Sequence, residues 1–241
     1  MNEEFLHLSP GKEQALLDHL LQFVTEEKAA RMRAVLPERT EWVRVVLEDI
    51  FQPHNASASV RSCECFGIQH IHVVENRYPY TLNREVAMGS SRWVDLRRHR
   101  DPDTDNSAAC LSELREAGYR MVATSLNDDA VPLSAVPLDR PLALCFGTEE
   151  DGLGEGLLAS ADLHTRIPMF GFTQSFNLSV SVALALQEIR RRLDAEGIDF
   201  RLSADRQRSV QLGWLLRCVR NGELLARAFL RETFPEQGPP A

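Results

Sequence analysis

Short apolar runs alternate with helix-like segments through the middle of the chain, between residues 42 and 193. The run Pro141–Phe146 (PLALCF) has no polar residue, as expected of a strand that is buried on both faces. This alternation is typical of an α/β fold, a mainly parallel sheet with helices on both faces, in which ligands bind beyond the carboxyl ends of the strands. Strands are predicted at residues 42–47, 71–75, 93–96, 119–125, 141–146 and 163–167, and helices at 56–66, 107–117 and 178–193.

Helical patterns without strands flank this region on both sides. Apolar residues recur at three- and four-residue spacing over residues 10–24, a second short helix spans 25–36, and residues 204–232 predict one or two further helices. A chain of 241 residues has room for one large domain with such additions. We therefore expect a helical N-terminal extension (1–40), a central α/β domain (41–193) and a helical C-terminal extension (194–241).

Several classes of protein are disfavoured by the sequence. No run approaches the roughly 18 apolar residues of a membrane span, and the N-terminus is acidic where a signal peptide carries positive charge, so we expect a cytoplasmic protein without membrane contact. Five scattered cysteines favour reduced thiols over a disulfide scaffold. Cys63, Cys65, His70 and His72 lack the usual spacing of zinc ligands, and no metal site is expected.

The charge balance bears on nucleic-acid binding. A formal net charge of −8 argues against nonspecific coating of nucleic acid, because binding to phosphate in bulk requires a positive field. All but two of the 27 basic residues are arginine, however, the side chain best suited to bidentate phosphate contacts. The net charge therefore does not exclude a local basic face that binds nucleic acid.

The first segment with candidate chemistry is residues 53–61 (PHNASASVR), which follow the first predicted strand. Asn55 is suited to capping the helix that begins there, by satisfying its unpaired backbone amides. Arg61 lies six residues further, nearly two helical turns, and can point back toward the crevice at the end of that strand. A lone arginine on a helix is more often a solvated surface charge.

Two further segments follow later strands. Residues 146–156 (FGTEEDGLGEG) have glycines that permit tight turns, but the spacing of these glycines is not the dinucleotide fingerprint, and three consecutive acids would repel a pyrophosphate. They could hold a metal ion or form a solvated loop. Residues 167–181 (IPMFGFTQSFNLSVS) alternate apolar and polar side chains before a helix, a pattern that can wrap an apolar ring. In a purely structural interpretation, Ser175 or Asn177 caps that helix.

Taken together, the three segments resemble the three motifs of the SpoU/TrmH family of SPOUT-class RNA 2′-O-methyltransferases. The matching patterns are N-x-x-x-x-x-R, F-G-x-E-x-x-G-L and I-P-M-x-G-x-x-Q-S-x-N-x-S-V-x-V-A, and the resemblance covers roughly residues 42–192, including Gly89–Trp93 (GSSRW). It implies that residues 41–193 form a SPOUT catalytic domain with a deep trefoil knot in its C-terminal part. It also implies a homodimer, and S-adenosylmethionine held bent in the knot as the methyl donor.

The resemblance further implies roles for individual residues. Arg61 would activate the ribose 2′-hydroxyl with support from Asn55, Glu149 matches the acid of the second motif, and Ser175 and Asn177 would organise the active site. Arginine is an unusual base because its pKa exceeds about 12, so stabilisation of the developing alkoxide, with another group accepting the proton, is equally open. Positions where the family wraps the cofactor are Thr124, Gly147, Ile167, Met169 and Phe176.

The substrate implied by the resemblance is tRNA. The short N-terminal extension and the arginine-bearing C-terminal helices are most similar to members that methylate the ribose of guanosine at position 18 of the D-loop. Clustered arginines predict RNA contacts at Arg31, Arg33 and Arg92. The alternatives are 2′-O-methylation of ribosomal RNA or of another tRNA nucleotide, an RNA-binding protein with little turnover, and a dinucleotide-dependent enzyme, which the missing fingerprint disfavours.

Overall fold

The computed structural model describes residues 3–5, 7–127 and 129–235, and the chain divides into two compact units. One unit is continuous and spans Thr40–Phe200. The other combines both ends of the chain, Met1–Arg39 and Arg201–Ala241. None of the helices in the described residues is long and apolar enough to cross a membrane.

The continuous unit is built on a seven-stranded sheet in which every neighbouring pair of strands is parallel. The strands are β1 (Val43–Glu48), β2 (His70–Val74), β3 (Asp95–His99), β4 (Arg120–Thr124), β5 (Val131–Pro132), β6 (Leu142–Phe146) and β7 (Leu163–Arg166). The strand order is β3-β2-β1-β6-β4-β7-β5, which places the first strand beside the sixth. The α/β class with a parallel sheet is therefore confirmed.

Helices cover both faces of this sheet because successive strand residues point to opposite sides. The helices of this unit are α3 (Pro53–Cys65), α4 (Arg84–Ala87), α5 (Asn106–Glu116), α6 (Glu155–Ser160) and α7 (Leu178–Ala195). Val45 and Leu47 of β1 pack in one buried cluster with residues of α3 and α7, whereas Val46 belongs to a second cluster with Leu114 of α5 and Leu157 of α6.

The second unit is helical. Its helices are α1 (Pro10–Leu21), α2 (Glu26–Val35), α8 (Ala204–Cys218) and α9 (Gly222–Thr233). Helix α1 packs against α8 and α9, and Glu13 of α1 accepts hydrogen bonds from Arg208 Nε at 3.2 Å and Ser209 Oγ at 2.6 Å on α8. Arg39 is fully buried, with its guanidinium carbon 5.7 Å from the centre of the Trp214 ring.

Differences from the predicted elements occur where apolar patterning is weak. The third strand lies at Asp95–His99 rather than at 93–96, and it is an edge strand with two exposed arginines. The two-residue β5 and the short helices α4 and α6 were not predicted, because two to six residues carry no measurable periodicity. Helix α3 begins at Pro53, so Gln52 is its N-cap and Asn55 lies inside the helix.

Candidate active site

A cavity of about 350 Å³ lies at the carboxyl ends of β4, β6 and β7. Its wall begins with Thr124 at the end of β4, continues through the loop after Phe146 at the end of β6, and includes Ile167 just after β7. This is the place where parallel sheets bind ligands. Its lining residues are Thr124–Asn127, Phe146–Leu153, Leu158, Thr165–Ile167, Met169, Gln174–Phe176, Leu178 and Ser181.

The predicted cofactor-binding residues all lie on this wall. Thr124, Gly147, Ile167, Met169 and Phe176 line the cavity, together with Glu149 and Ser175 from the predicted catalytic set. Sequence reasoning missed the turn after β4, Ser125–Asn127, and Leu158 of α6. The turn could have been found, because it directly follows a predicted strand and thus lies at the same edge of the sheet.

The loop after β6 is folded tightly on itself. Thr148 and Gly152 exchange two backbone hydrogen bonds of 2.9 and 3.1 Å, and Gly152 has a φ of 71° in the left-handed region. A Cβ atom at Gly147 would lie only 2.0 Å from the carbonyl oxygen of Gly152 and 2.3 Å from the amide nitrogen of Leu153. Glycine is therefore required at position 147 for the two ends of this loop to approach each other.

Three residues from the three motifs are joined by hydrogen bonds beside the cavity. The side-chain amide of Asn177 donates to Asn55 Oδ1 at 3.0 Å and to Glu149 Oε1 at 2.5 Å. The same Glu149 oxygen accepts from the backbone nitrogen of Leu178 at 3.0 Å, and Asn55 Nδ2 donates to Gln52 Oε1 at 2.7 Å. The structure thus brings together Asn55, Glu149 and Asn177, residues that are far apart in the sequence.

Asn177 also starts helix α7. Its side-chain oxygen accepts from the backbone nitrogen of Ser179 at 3.0 Å, so Asn177, and not Ser175, is the N-cap. The carboxylate of Glu149 lies against this helix N-terminus, where negative charge is favoured by the helix dipole. The capping interpretation and the functional interpretation of Asn177 are therefore both compatible with its position.

A second carboxylate fixes the other end of the loop. Glu48, buried at the end of β1, accepts from the backbone nitrogen of Gly154 at 2.7 Å and from the hydroxyl of Ser107 at 2.5 Å. Because β1 and β6 are neighbours, this contact ties the second motif to the strand that precedes the first motif. Sequence reasoning missed Glu48, although an acidic residue at the carboxyl end of an apolar strand is a signal that its side chain binds the loops at that edge of the sheet.

Arg61 and the predicted RNA-binding arginines lie on the surface. Arg61 is exposed on α3 and is absent from the cavity wall, and its side chain makes no hydrogen bond or ion pair within the described residues. Arg31 and Arg33 are exposed on α2, where Arg33 pairs with Glu26. Arg92 is exposed in a short 3-10 helix at Ser90–Arg92.

A separate buried cluster in the described residues contains the ligand types that bind metal ions. Potential ligand atoms of His72, His99 and Cys110 lie within 4.8 Å of one another. The two imidazoles are hydrogen-bonded, with His72 Nδ1 3.0 Å from His99 Nε2, and Arg44 Nη1 lies 3.4 Å from His72 Nε2. Burial lowers the pKa of His72 to about 3 and raises that of Cys110 to about 12, so these two side chains are uncharged at neutral pH. Burial also lowers the pKa of His99. Of the set weighed in the sequence, only His72 belongs to the cluster.

Comparison with known proteins identifies the family to which the chain belongs. The sequence model of the SpoU rRNA Methylase family matches residues 42–187. A tRNA (guanosine(18)-2′-O)-methyltransferase of Borreliella burgdorferi is 39% identical over 86% of this chain and 92% of its own. The enzyme of the same name from Thermus thermophilus is 37% identical over 79% of this chain and 97% of its own.

Solved structures agree with these sequence matches. A crystal structure described as the A. aeolicus TrmH/SpoU tRNA modifying enzyme superposes with a TM-score of 0.72 at 28% identity, covering 81% of this chain and 98% of that one. A structure described as giving insight into the 2-OH methylation of C/U34 on tRNA has a TM-score of 0.53 at 29% identity, covering 64% and 97% of the two chains. The resemblance drawn from the three motifs is confirmed, and the chain belongs to the SpoU rRNA methylase family.

Proposed function

We propose that the protein transfers a methyl group from S-adenosylmethionine to the ribose 2′-hydroxyl of guanosine 18 in the D-loop of tRNA. The observation that carries this proposal is the hydrogen-bonded set Asn55–Asn177–Glu149, which joins all three family motifs at the edge of the cavity. The names of the Borreliella and Thermus relatives, both tRNA (guanosine(18)-2′-O)-methyltransferases, support the nucleotide.

The cavity suits the proposed cofactor. Its volume of about 350 Å³ falls in the range of small-molecule sites. Leu126, Leu158 and Ile167 offer apolar surface to a flat base, and the tightly folded loop after β6 offers backbone groups to its edges. When bound, S-adenosylmethionine supplies a sulfonium methyl group that is open to attack and leaves a neutral thioether behind. For this reason the reaction needs no metal ion.

The protein's own residues position the nucleophile and stabilise its charge. Asn177 holds Asn55 and Glu149 in one arrangement, and Glu149 fixes the start of α7 next to the cavity wall. A 2′-hydroxyl is a poor nucleophile at neutral pH and needs both positioning and charge stabilisation. We assign the latter to Arg61, whose guanidinium has no partner within the described residues and so is free to pair with RNA.

The family also suggests the assembly in which this site works. We expect a homodimer, in which a second copy covers the almost fully exposed Phe170 and Phe172 of the third motif. We expect the C-terminal part of the sheet to form a deep trefoil knot, an expectation supported by the placement of β7 between β4 and β5 and by the packing of α7 on α3. The enzyme would act in the cytoplasm, where tRNA is available. RNA contacts are proposed at Arg31, Arg33 and Arg92.

The test is methyl transfer from labelled S-adenosylmethionine to an unmodified tRNA transcript. We expect incorporation by the wild-type protein, none on a transcript whose position-18 ribose is already methylated, and a large loss with Arg61→Ala while S-adenosylhomocysteine still binds. Label that persists on the blocked transcript would move the target to another nucleotide, such as the position 34 named for one structural relative. Labelling of ribosomal RNA alone would favour that substrate, and no transfer to any RNA would favour an RNA-binding protein without turnover.

A further inference from the structure

Two partly exposed aromatic rings stand together near the proposed active site. Phe51 and Tyr78 are 40% and 41% exposed, their ring centres are 5.4 Å apart, and their planes are tilted by 50°. The guanidinium carbon of Arg77 lies 5.6 Å from the centre of the Tyr78 ring. We call Phe51, Arg77 and Tyr78 the aromatic shelf.

The shelf is held in place by a buried carboxylate. Asp49 has a φ of 55°, in the left-handed region that residues other than glycine rarely adopt. In this conformation its Oδ1 accepts from the backbone nitrogens of Asn76 and Arg77, both at 2.8 Å, and its Oδ2 accepts from Arg77 Nε at 3.2 Å. Backbone strain of this kind persists where the surrounding contacts hold it, and it is common at active sites and ligand-binding sites.

The shelf is also connected to the proposed catalytic residues from two sides. Arg77 Nη1 donates to Asp151 Oδ2 at 3.0 Å, and Asp151 lies two residues after Glu149 in the same loop. On the other side Phe51 precedes Gln52, whose side chain accepts from Asn55. The two rings are thus linked to both ends of the Asn55–Asn177–Glu149 set. Phe51 is linked through Gln52 to Asn55, and Tyr78 is linked through Arg77 and Asp151 to the loop that contains Glu149.

We propose that the aromatic shelf stacks against the base of the target guanosine while its ribose is presented for methylation. This inference rests on the proposed function and adds the base to the ribose and the cofactor. A nucleobase fits this surface because it is a flat ring with polar edges. The shelf offers two rings and the guanidinium of Arg77, and the carboxylates of Asp49 and Asp151 border it. Single-stranded nucleic acids are commonly bound in this way, by aromatic stacking with arginine beside it.

The test pairs loss of a ring with loss of the base. Phe51→Leu and Tyr78→Leu remove a ring and keep apolar bulk, Tyr78→Phe keeps the ring, and Phe23→Leu makes the same change at another exposed ring, 48% exposed. Each protein is assayed for binding of tRNA in the presence of S-adenosylhomocysteine. Two transcripts are used, one intact and one whose position-18 nucleotide keeps its ribose but lacks its base.

We expect each leucine variant of the shelf to bind the intact transcript at least about tenfold more weakly than wild type, and to lose kcat/KM for methylation to a similar degree. On the baseless transcript the same variants should bind as wild type does, because the ring then has no base to stack on. Tyr78→Phe and Phe23→Leu should behave as wild type on both transcripts, and affinity for S-adenosylhomocysteine should be unchanged throughout.

Three outcomes overturn the proposal. An equal loss on both transcripts would assign Phe51 and Tyr78 to the fold, and no loss on either would show that they do not touch the base. A change in sedimentation mass with the leucine variants would assign the rings to contact between two copies of the chain. Failure of the wild-type protein to methylate position 18 would instead refute the proposed function, and it is seen before any variant is compared.

Discussion

Gly147 lines the proposed cofactor cavity at a point where the loop has no room for a single added methyl group. The Cβ atom of Gly147→Ala would meet the carbonyl oxygen of Gly152 at 2.0 Å and its carbonyl carbon at 2.1 Å, and both belong to the backbone. No side-chain rotation relieves such an overlap. The loop must open by more than an ångström, which separates Thr148 from Gly152 and breaks the two hydrogen bonds between them.

The cost follows from the contacts that are lost. Two backbone hydrogen bonds contribute about 1–3 kcal/mol together, which in a protein of this size lowers the unfolding midpoint by about 2–12 °C. Since Gly147, Thr148 and Glu149 all line the cavity, we also expect affinity for S-adenosylhomocysteine to fall at least about tenfold. Gly156→Ala is the matched control, because a Cβ at this exposed position in α6 meets nothing within 4 Å.

Thermal unfolding with and without S-adenosylhomocysteine measures both effects in one experiment, because a ligand that binds only the folded protein raises the midpoint. Gly147→Ala should have a lower midpoint and a smaller ligand-induced rise. Gly156→Ala should keep the full rise and gain up to about 1 kcal/mol from helix propensity. The reasoning is refuted if Gly147→Ala binds the ligand as wild type does, since the close approach within the loop would then not shape the cavity.

The Asn177 amide, the buried His72 and the arginines of α2 can each be tested by substitution. Asn177→Asp keeps the oxygen that caps α7 but places a carboxylate against Glu149, so the rate of methyl transfer should fall at least about tenfold. Helix content measured by circular dichroism should be unchanged. Wild-type activity of this variant would contradict the role of the Asn177 side-chain amide. Because burial lowers the pKa of His72 from 6.5 to about 3, the unfolded chain takes up the proton first as pH falls, and stability should drop by up to ~1.4 kcal/mol per pH unit between these values. The free energy of unfolding of His72→Asn, measured with denaturant at several pH values, should fall less steeply toward low pH than that of the wild type. An unchanged dependence of this free energy on pH would contradict the role of His72. Joint replacement of Arg31 and Arg33 by alanine should weaken tRNA binding and spare S-adenosylhomocysteine binding, whereas equal loss of both in binding titrations would assign them to the fold.

The central strands could be predicted because burial on both faces leaves a simple pattern. Residues 142–146 are buried without exception, and a continuous apolar run is the direct trace of that environment. The edge strand β3 has the sequence DLRRH, in which one face meets solvent and charged side chains interrupt the run. Its register depends on pairing with β2, a long-range contact that local periodicity does not report.

The location of the site could be predicted from the sequence, but the hydrogen bonds within it could not. Each motif follows a strand, and parallel strands end at one edge of the sheet, so the motifs were expected to meet. Strand order decides which of them touch, and the insertion of β6 beside β1 could not be inferred from the order along the chain. Glu48 shows the consequence, because its role depends on Gly154 and Ser107, which are more than 50 residues away.

Asn177 shows why a structural and a functional explanation of one residue need not compete. A side-chain amide has an acceptor end and a donor end, and here the oxygen caps α7 while the nitrogen donates to Asn55 and Glu149. Aspartate and serine cap helices equally well, so capping alone does not select asparagine. The need for a donor facing two acceptors does select it, because only an amide presents two N–H groups on the side opposite the capping oxygen. The choice of asparagine therefore depends on the contacts between motifs, and the same side chain that starts the helix also holds the proposed catalytic residues Asn55 and Glu149 beside the cavity.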